Sequence, residues 1–150
     1  MKDISGFGFQ IQLIASVTYP SGIILSEFAD DIDPLDLPAI AIADAAMGLN
    51  GDLITWSKAT KIDLTIGMIP DGDDDINLTI LFEANRVSKN KLNVGDIITL
   101  TGVYQDGTII TYNQGRMTSG IPGGPVSNAG RLKSKPYIFT FESRSITLGS

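Results

Sequence analysis

The sequence predicts a mainly β protein, built on an antiparallel sheet with one helix. Three observations predict this fold class. Apolar and polar residues alternate with a period of two in several segments, which is typical of strands with one buried face. Turn signals separate neighbouring segments, as in hairpins. Strands do not alternate regularly with helices, so a parallel sheet is not indicated.

The longest alternating segment covers residues 7–19. Its odd-numbered residues are apolar, and its even-numbered residues are small or polar, except Ile14. A single strand of this length would span roughly 40 Å, which suits a hairpin that extends beyond the body of the domain. The Pro-Ser-Gly sequence at 20–22 predicts a turn, so residues 23–28 are expected to return as the second strand.

Residues 29–52 form a predicted long loop, which is rich in aspartate and interrupted by proline and glycine. Within it, residues 38–44 fit a short strand and fit an alanine-rich helical turn equally well. A connection of this length is usually functional or a binding arm. Strands are then predicted at residues 53–56 and 61–68, the second with clear alternation.

One helix is predicted over residues 73–86. Aspartates in its first turn and Arg86 at its end suit the partial charges of a helix. Its apolar residues occupy two faces, one containing Ile76 and Ile80 and the other Leu78, so the helix is expected to pack under a sheet or against a neighbour. A strand over the first half of this segment is the alternative, but consecutive apolar residues further along break its alternation.

The second half of the chain predicts three further strands. A strand over residues 96–105 leads into Asp-Gly at 106–107, which fits a two-residue type I′ turn, and residues 108–112 return. Residues 117–130 are rich in Gly, Ser and Pro and predict an exposed, flexible loop. The last strand is predicted over residues 137–143, with its aromatic side chains on one face.

The composition argues against an enzyme and against a resident cofactor or metal. The chain has 150 residues, which indicates one domain over 1–150, and it contains no His and no Cys. The commonest general base, the commonest metal ligand and every thiolate site are therefore absent. Neither a nucleophile elbow nor a phosphate-binding glycine loop occurs, and paired carboxylates carry little signal among 17 acidic residues. Trp56 is expected in a core or an interface.

The acidic segment 71–75 was compared with a calcium-binding loop. Asp71, Asp73 and Asp75 fit the first, third and fifth positions of an EF-hand loop. The sixth position, which needs glycine, is Ile76, and the twelfth is Phe82. The segment therefore predicts a helix start with a solvated loop, and adventitious cation binding is the alternative.

The charges are divided between the two halves of the chain. Residues 1–85 contain 14 acidic and 3 basic residues, a net charge of −11, whereas residues 86–150 contain 3 acidic and 8 basic residues, a net charge of +5. Such asymmetry suits contact between copies of the same chain and is also a hint of nucleic-acid contact. The pI of about 4.4 argues against binding to a phosphate backbone.

The N-terminal segment does not resemble a secretory signal, and no run of apolar residues is long enough for a spanning helix. The sequence therefore predicts a protein made and folded in a cytoplasm.

A basic cluster near the last strand has two interpretations. It is a solvated strand start, or it is a patch that meets the acidic long loop of another copy. Surface ion pairs contribute about 0–1 kcal/mol each, so they would set register while apolar contacts supply affinity. The predicted inter-subunit residues are Asp30, Asp31, Asp33, Asp36, Ile40, Ile42, Met47, Leu49, Arg131, Lys133 and Lys135.

Three stretches resemble the tail tube proteins of contractile-tailed (myovirus-type) phages. The first is AMGLNGDLI at 46–54, similar to the Gly-containing segment after the long loop of that family. The second is the strand, acidic loop and helix over residues 61–86, and the third is GRLKSKPYIFTFE at 130–142. Together these stretches are spread over most of the chain.

The resemblance implies a β-sandwich or barrel flanked by one helix and long extended loops. It implies six copies in a ring, rings stacked through the long loop, and DNA passing through the lumen of a tail tube. Six copies would carry a formal charge of about −36. The implied partners are other copies of the chain, tail sheath and baseplate proteins, and DNA in transit, in a virion tail that is assembled in the host cytoplasm. The residues expected to line the lumen are Gln10, Gln12, Ser16 and Thr18.

Two alternatives remain from the sequence. One is a baseplate or tail-terminator protein of the same fold, which closes a tube instead of repeating along it. The other is a soluble β-domain that binds a carbohydrate or another ligand.

Overall fold

A computed structural model gives the fold of the chain. Its strand pairings are antiparallel and it contains one α-helix within the described residues, so the predicted fold class is confirmed. Five of the predicted interface residues, Asp30, Asp31, Asp33, Arg131 and Lys133, lie outside the described residues. The structure describes residues 9–28, 35–70, 72–104, 106–121 and 135–148.

The described residues form nine strands and one helix. The elements in chain order are β1 (Gln10–Ala15), β2 (Tyr19–Leu25), β3 (Leu35–Asp36), β4 (Ala43–Met47), β5 (Leu53–Ser57), β6 (Ile62–Met68), α1 (Asp73–Asn85), β7 (Ile98–Val103), β8 (Ile109–Ser119) and β9 (Lys135–Thr147).

Seven strands form one sheet in the order β2-β1-β7-β8-β9-β6-β3, and β4 and β5 form a separate hairpin. The large sheet curls until the segment after β2 meets the end of β6. There, Phe28 and Met68 form an antiparallel bridge, and the N–H of Ile69 donates to the carbonyl of Glu27 at 3.1 Å. The sheet is therefore barrel-like, and this contact covers part of its two edges.

The core lies inside the curled sheet and beneath α1. Alternate residues of β1, β6, β7 and β9 point inward, and Leu78 and Leu81 of the helix join them. The buried apolar residues are Ile11, Leu13, Ala15, Leu25, Leu64, Ile66, Met68, Leu78, Leu81, Ile98, Leu100, Tyr112, Tyr137, Phe139 and Phe141.

The first hairpin forms, but the prediction of its turn was wrong. β1 ends at Ala15 and β2 begins at Tyr19, so residues 16–18 make the turn and the first strand has six residues. Residues 20–22 lie inside β2, where they oppose Ile14 in a bulge. β2 is an edge strand, where the missing N–H of a proline is tolerated, and Gly22 supplies a φ of +85°.

The position of this turn is fixed by Asp96, which is distant in sequence. Its carboxylate accepts hydrogen bonds from the N–H groups of Val17 and Thr18 at 2.7 and 2.9 Å, and from the Thr18 hydroxyl at 2.5 Å. Asn85, at the end of α1, donates to the same carboxylate at 2.8 Å and accepts from the Asp96 N–H at 3.1 Å. Burial alone would raise the pKa of Asp96, but these hydrogen bonds together lower it below its usual value.

The helix forms over Asp73–Asn85, and only the Leu78 face, one of its two apolar faces, is buried. Asp74, Asp75, Leu78 and Leu81 are buried, and they lie on one side of the helix. The apolar residues of the Ile76 face remain about half exposed. The first-turn aspartates were predicted to be solvated, and that was wrong for Asp74 and Asp75.

Asp74 and Asp75 are buried because each has partners elsewhere in the fold. The Asp74 carboxylate accepts from the N–H groups of Ser26 and Glu27 at 2.7 and 2.9 Å, directly after β2. Asp75 forms an ion pair with Lys135 at 3.2 Å and accepts a hydrogen bond from the Tyr137 hydroxyl at 2.6 Å. Burial and the hydrogen bond to Asp75 both raise the pKa of Tyr137, which keeps its hydroxyl protonated as a donor.

The hairpin between β7 and β8 has a different turn from the predicted two-residue one. The N–H of Tyr104 donates to the carbonyl of Thr108, and the N–H of Gly107 donates to the carbonyl of Tyr104. Three residues therefore separate the closing pair, and Gly107 has a φ of +90°. This is the pattern of a three-residue loop that ends in a left-handed glycine, which the Asp-Gly pair also satisfies.

Part of the predicted flexible loop belongs to a strand. β8 continues to Ser119, so residues 117–119 pair with β9, while residues 122–130 lie outside the described residues. β8 is bent by a bulge opposite Ile98 and Leu100, where Gln114 has a φ of +55°.

We expect replacement of Asp96 by Asn to destabilise the fold by about 1–3 kcal/mol at pH 7, because a buried charged acceptor is lost. The folded-state pKa of Asp96 is depressed, so its stabilising effect is present above pH ~4, the usual carboxyl range, and is lost as the pH falls further. The difference in the free energy of unfolding between wild type and Asp96→Asn should therefore shrink below pH ~4. Urea unfolding at several pH values measures it, with the exposed Asp36→Asn as a control. A constant difference down to pH ~2 would contradict this account.

We expect replacement of Gly115 by Ala to destabilise the fold by about 1–3 kcal/mol or more, because a Cβ there would lie 2.2 Å from the Phe141 ring and 2.8 Å from the Thr140 carbonyl oxygen. Gly102→Ala in the adjacent strand is a matched control, since its nearest contact, with Phe9, is an ordinary 3.4 Å. Thermal unfolding compares the two variants. Equal melting temperatures would show that Phe141 moves aside freely.

Candidate interaction surfaces

The predicted long loop contains half of a separate hairpin. β4 and β5 pair in register from Ala43–Ser57 to Met47–Leu53. Residues 38–42, for which a strand or a helical turn had been weighed, have no regular structure, and the strand starts at Ala43. Of the two structures weighed within the loop, a strand therefore forms, but over residues 43–47, where backbone pairing with β5 orders the chain.

The tip of this hairpin is a tight three-residue loop. The N–H of Gly48 donates to the carbonyl of Asp52 at 2.7 Å, and the N–H of Gly51 donates to the carbonyl of Gly48 at 3.0 Å. Gly51 has a φ of +89°, the same left-handed position that Gly107 occupies in the β7–β8 turn. Leu49 is the first residue of the loop and is fully exposed.

The base of the hairpin is held by polar contacts. The N–H of Lys58 donates to the carbonyl of Ile42 at 2.9 Å, and the Thr60 hydroxyl donates to the carbonyl of Ala41 at 2.6 Å. Lys58 also forms an exposed ion pair with Asp44 at 3.1 Å.

The hairpin exposes apolar side chains on both of its faces. Alternation places Met47 and Leu53 on one face and Ile54 and Trp56 on the other, and all four are about half exposed or more. The predicted apolar interface residues Ile40, Ile42, Met47 and Leu49 are likewise exposed. A hairpin inside one folded chain normally hides one face, so these surfaces are suited to contact with another molecule.

Two charged members of the predicted interface set fall in different environments. Asp36 is exposed at the end of β3, which pairs with β6 at the rim of the sheet. Lys135 is only 5% exposed, and its ammonium group pairs with Asp75 inside the domain. Its assignment to a surface patch is therefore corrected, because a neutralising partner in α1 draws it inward.

The four residues expected to line a lumen occupy two places. Gln10 and Gln12 point outward from β1, whose opposite side faces the core. Ser16 and Thr18 lie in the β1–β2 turn, where the Ser16 hydroxyl oxygen accepts from the Ile97 N–H at 2.9 Å and Thr18 binds Asp96.

The outer face of β1, β7 and β8 continues the pattern of Gln10 and Gln12. By register, Gln12 neighbours Thr101, and Thr101 neighbours Thr111, whose hydroxyl lies 3.5 Å from that of Thr101. The other outward residues of these rows are Ile14, Thr99, Val103 and Ile109. The described residues of these three rows are uncharged, whereas Arg116, further along β8 and on the same outward side, is exposed.

The second half of β9 offers a strand edge. β6 pairs with β9 from Lys135 to Phe141, whereas residues 142–147 pair with β8 on the other side. In the described part of the chain, nothing else pairs with residues 142–147, and their side chains are exposed. Such an edge is available for pairing with a further strand.

A cleft of about 400 Å³ lies where β6 diverges from this edge. It is lined by residues 59–61 at the base of the hairpin, by Gln114 at the β8 bulge and by residues 140–142 of β9. Lys61 is at its rim, with an exposed ammonium group 3.5 Å from Asp63.

The exposed face of α1 was missed by the sequence analysis. The helix was expected to pack under a sheet or against a neighbour, yet Ile76, Ile80 and Val87 each remain about half exposed or more. The sequence did contain a signal for this exposed face, because a helix with apolar residues on two faces can bury only one of them against a single sheet.

Over the described ranges, no group of three or more acidic side chains is arranged to hold a metal ion. The helix described here is not long and apolar enough to cross a membrane.

Three solved structures have a similar fold at low sequence identity. A sheath/tube terminator of the extracellular contractile injection system PVC, in the extended state, has a TM-score of 0.57 and 14% identity over 99% of both chains. The tube-terminating cap of the anti-feeding prophage has a TM-score of 0.57 and 10% identity over 99% of this chain and 93% of that one. The six-fold symmetrised anti-feeding prophage baseplate has a TM-score of 0.56 and 8% identity over 99% and 97%.

Among proteins with a curated function, none matches the sequence significantly. A family model described as tail fiber protein gp32 matches residues 2–145. The resemblance to phage tail proteins is thus confirmed, whereas a role in the tail tube itself remains a prediction. Because the match spans nearly the whole chain, this protein belongs to the tail fiber protein gp32 family of phage-tail proteins.

Proposed function

We propose that this protein is a structural subunit that assembles into rings and stacked rings of a contractile tail tube. The ring has six copies, and its lumen is a conduit for DNA during ejection. The observation that carries this proposal is the β4–β5 hairpin, whose apolar side chains are exposed on both faces.

The hairpin needs a partner for physical reasons. An isolated two-stranded hairpin is marginally stable in water, and this one lies outside the large sheet. Covering an apolar side chain completely contributes about 1.5–3 kcal/mol, so burying half of Leu53, Ile54 and Trp56 at an interface contributes several kcal/mol. A neighbouring copy supplies that cover in every ring.

The sheet edges support ring formation. Residues 142–147 of β9 form one open edge, and β2 forms another with Ile24 exposed. In a ring of identical subunits, an edge of one copy lies against a different edge of the next, and closure leaves no dangling strand.

The lumen lining that we propose is the outer face of β1, β7 and β8. Gln12, Thr101 and Thr111 form its central row, and this row and the two beside it are uncharged, while the exposed Arg116 lies further along β8. An uncharged lining makes no ion pairs with phosphate, so a nucleic acid slides past it without salt-dependent binding. Ser16 and Thr18 contribute at the rim, since both lie in the β1–β2 turn.

A ring at the end of a tube is the second candidate function. It is favoured by the origin of the three structures with this fold, which are a tube terminator, a terminating cap and a baseplate. Such a ring uses the same lateral contacts but does not repeat along the axis.

The remaining parts of the proposal follow from assembly. The protein is not an enzyme and needs no cofactor. Its partners are other copies, together with sheath and baseplate proteins, and it works in a virion tail after assembly in the host cytoplasm.

Negative-stain electron microscopy and analytical ultracentrifugation of the purified protein test the proposal. We expect six-membered rings, with long tubes for the tube role and single rings or double rings for the terminal role. A monodisperse monomer at high concentration that binds a small carbohydrate or another ligand would overturn the proposal.

We expect Trp56→Ser combined with Ile54→Ser to shift the sedimentation of the assembly to monomers, because both side chains lie on one apolar face of the hairpin. The free energy of unfolding of the monomer should change by less than about 0.5 kcal/mol, since neither side chain is in the core. Leu92→Ser, at another exposed leucine, is the matched control. Unchanged assembly in the double variant would rule out the hairpin as the interface.

The charge-pairing prediction concerns Arg131 and Lys133 and the acidic segment that contains Asp30, Asp31 and Asp33. We expect Arg131→Glu with Lys133→Glu to weaken ring stacking, and more strongly at low salt than at high salt. Tube length in micrographs and the sedimentation coefficient measure it. If neither the tube length nor the sedimentation coefficient changes on this charge reversal, charge pairing does not set the register of the stacked rings.

A further inference from the structure

The tip of the hairpin and the cleft at its base match each other in chemistry. The tip presents Leu49, fully exposed, between the exposed Met47 and Leu53. Three-residue hairpin loops are usually occupied by polar residues and glycine, so a fully exposed leucine in the loop is unusual. The cleft at the base has a volume of about 400 Å³, and the buried Phe141 contributes to its lining.

We propose that the apolar tip of the hairpin inserts into the cleft of a neighbouring copy of the same chain. The contact joins Leu49 of one copy to the cleft lined by Thr60, Gln114 and Phe141 of the next. It rests on the proposed ring-forming function and specifies which surfaces meet in it.

The hairpin cannot fill its own cleft. Thr60 lines the cleft and is hydrogen-bonded to Ala41 at the base of the hairpin. The paired strands hold Leu49 about 20 Å further out, at about 3.3 Å per residue. The tip and the cleft are thus at opposite ends of the hairpin, so we expect their contact to be intermolecular and head-to-tail. A head-to-tail contact repeats from copy to copy and closes into a ring or continues as a tube.

Size and charge agree with this occupant. A cavity of about 150 Å³ is enough to hold a benzene ring, so the larger cleft accommodates the Leu49 side chain together with Met47 or Leu53. Asp52 flanks the tip, and the exposed ammonium group of Lys61 lies at the rim of the cleft. Insertion therefore places an acidic group beside a basic one at the edge of an apolar contact.

Cysteine cross-linking tests the contact directly, because the natural chain contains no cysteine. Leu49→Cys and Thr60→Cys are made as separate single variants, mixed, allowed to assemble and oxidised. We expect a disulfide-linked dimer at least tenfold more abundant in the mixture than in either variant alone, since a disulfide needs Cα atoms within about 7 Å. Leu92→Cys mixed with Thr60→Cys is the matched control, because Leu92 is as exposed but lies away from the tip.

Two further variants show whether the cross-link depends on the proposed fit. Ala59→Trp in the Thr60→Cys chain fills the cleft and should abolish the cross-link. Asp52→Lys in the Leu49→Cys chain should reduce it several-fold, and Lys61→Asp in the partner chain should restore it.

The outcomes separate this inference from the proposed function. Rings that form while Leu49→Cys and Thr60→Cys cross-link no better than the Leu92→Cys control overturn the tip-to-cleft contact and leave the ring proposal standing. A cross-link that survives the filled cleft overturns it as well. If electron microscopy shows no rings or tubes, both proposals fall.

Discussion

Buried carboxylates at the two ends of α1 are the constraint on which the rest of the fold depends. At the start of the helix, Asp74 binds the backbone that follows β2, and Asp75 pairs with Lys135 at the start of β9. Beyond its end, Asp96 is bound by Asn85 and holds the β1–β2 turn. A buried charge without such partners would be strongly destabilising, so these residues fix where the helix lies on the sheet. The core and the barrel-like curl follow from that placement.

Because of this arrangement, the acidic residues in the first half of the chain do not all contribute to surface charge. Some of its charges are part of the interior and are compensated there by backbone N–H groups and by one lysine. They do not contribute to a solvated acidic surface. For the same reason, Lys135 is not part of the basic cluster on the surface. The charge asymmetry therefore combines internal pairing with surface charge, and only the surface part is available for contacts between copies.

The exposed surfaces of the molecule are what the proposed assembly rests on. Among the described residues, the buried core does not include the apolar side chains of the β4–β5 hairpin, which remain exposed. The rows of β1, β7 and β8 around Gln12, Thr101 and Thr111 are uncharged, whereas the hairpin, the open edge of β9 and the Ile76 side of α1 are partly apolar. This division of the surface supports the proposed assembly.

The sequence by itself determined the antiparallel β class, the helix, which it placed over residues 73–86, the existence of the β1–β2 and β7–β8 hairpins and the interface-like apolar character of Ile40, Ile42, Met47 and Leu49. Periodicity and turn residues are local signals, and local signals are sufficient for these features. The tertiary structure alone decided the position of the first turn, the burial of Asp74, Asp75 and Lys135, and the choice of which helix face is covered. Each of these depends on a partner far along the chain, such as Asp96 for Thr18 or Asp75 for Lys135. A hydrogen bond or ion pair between such distant residues leaves no trace in the local pattern of either one.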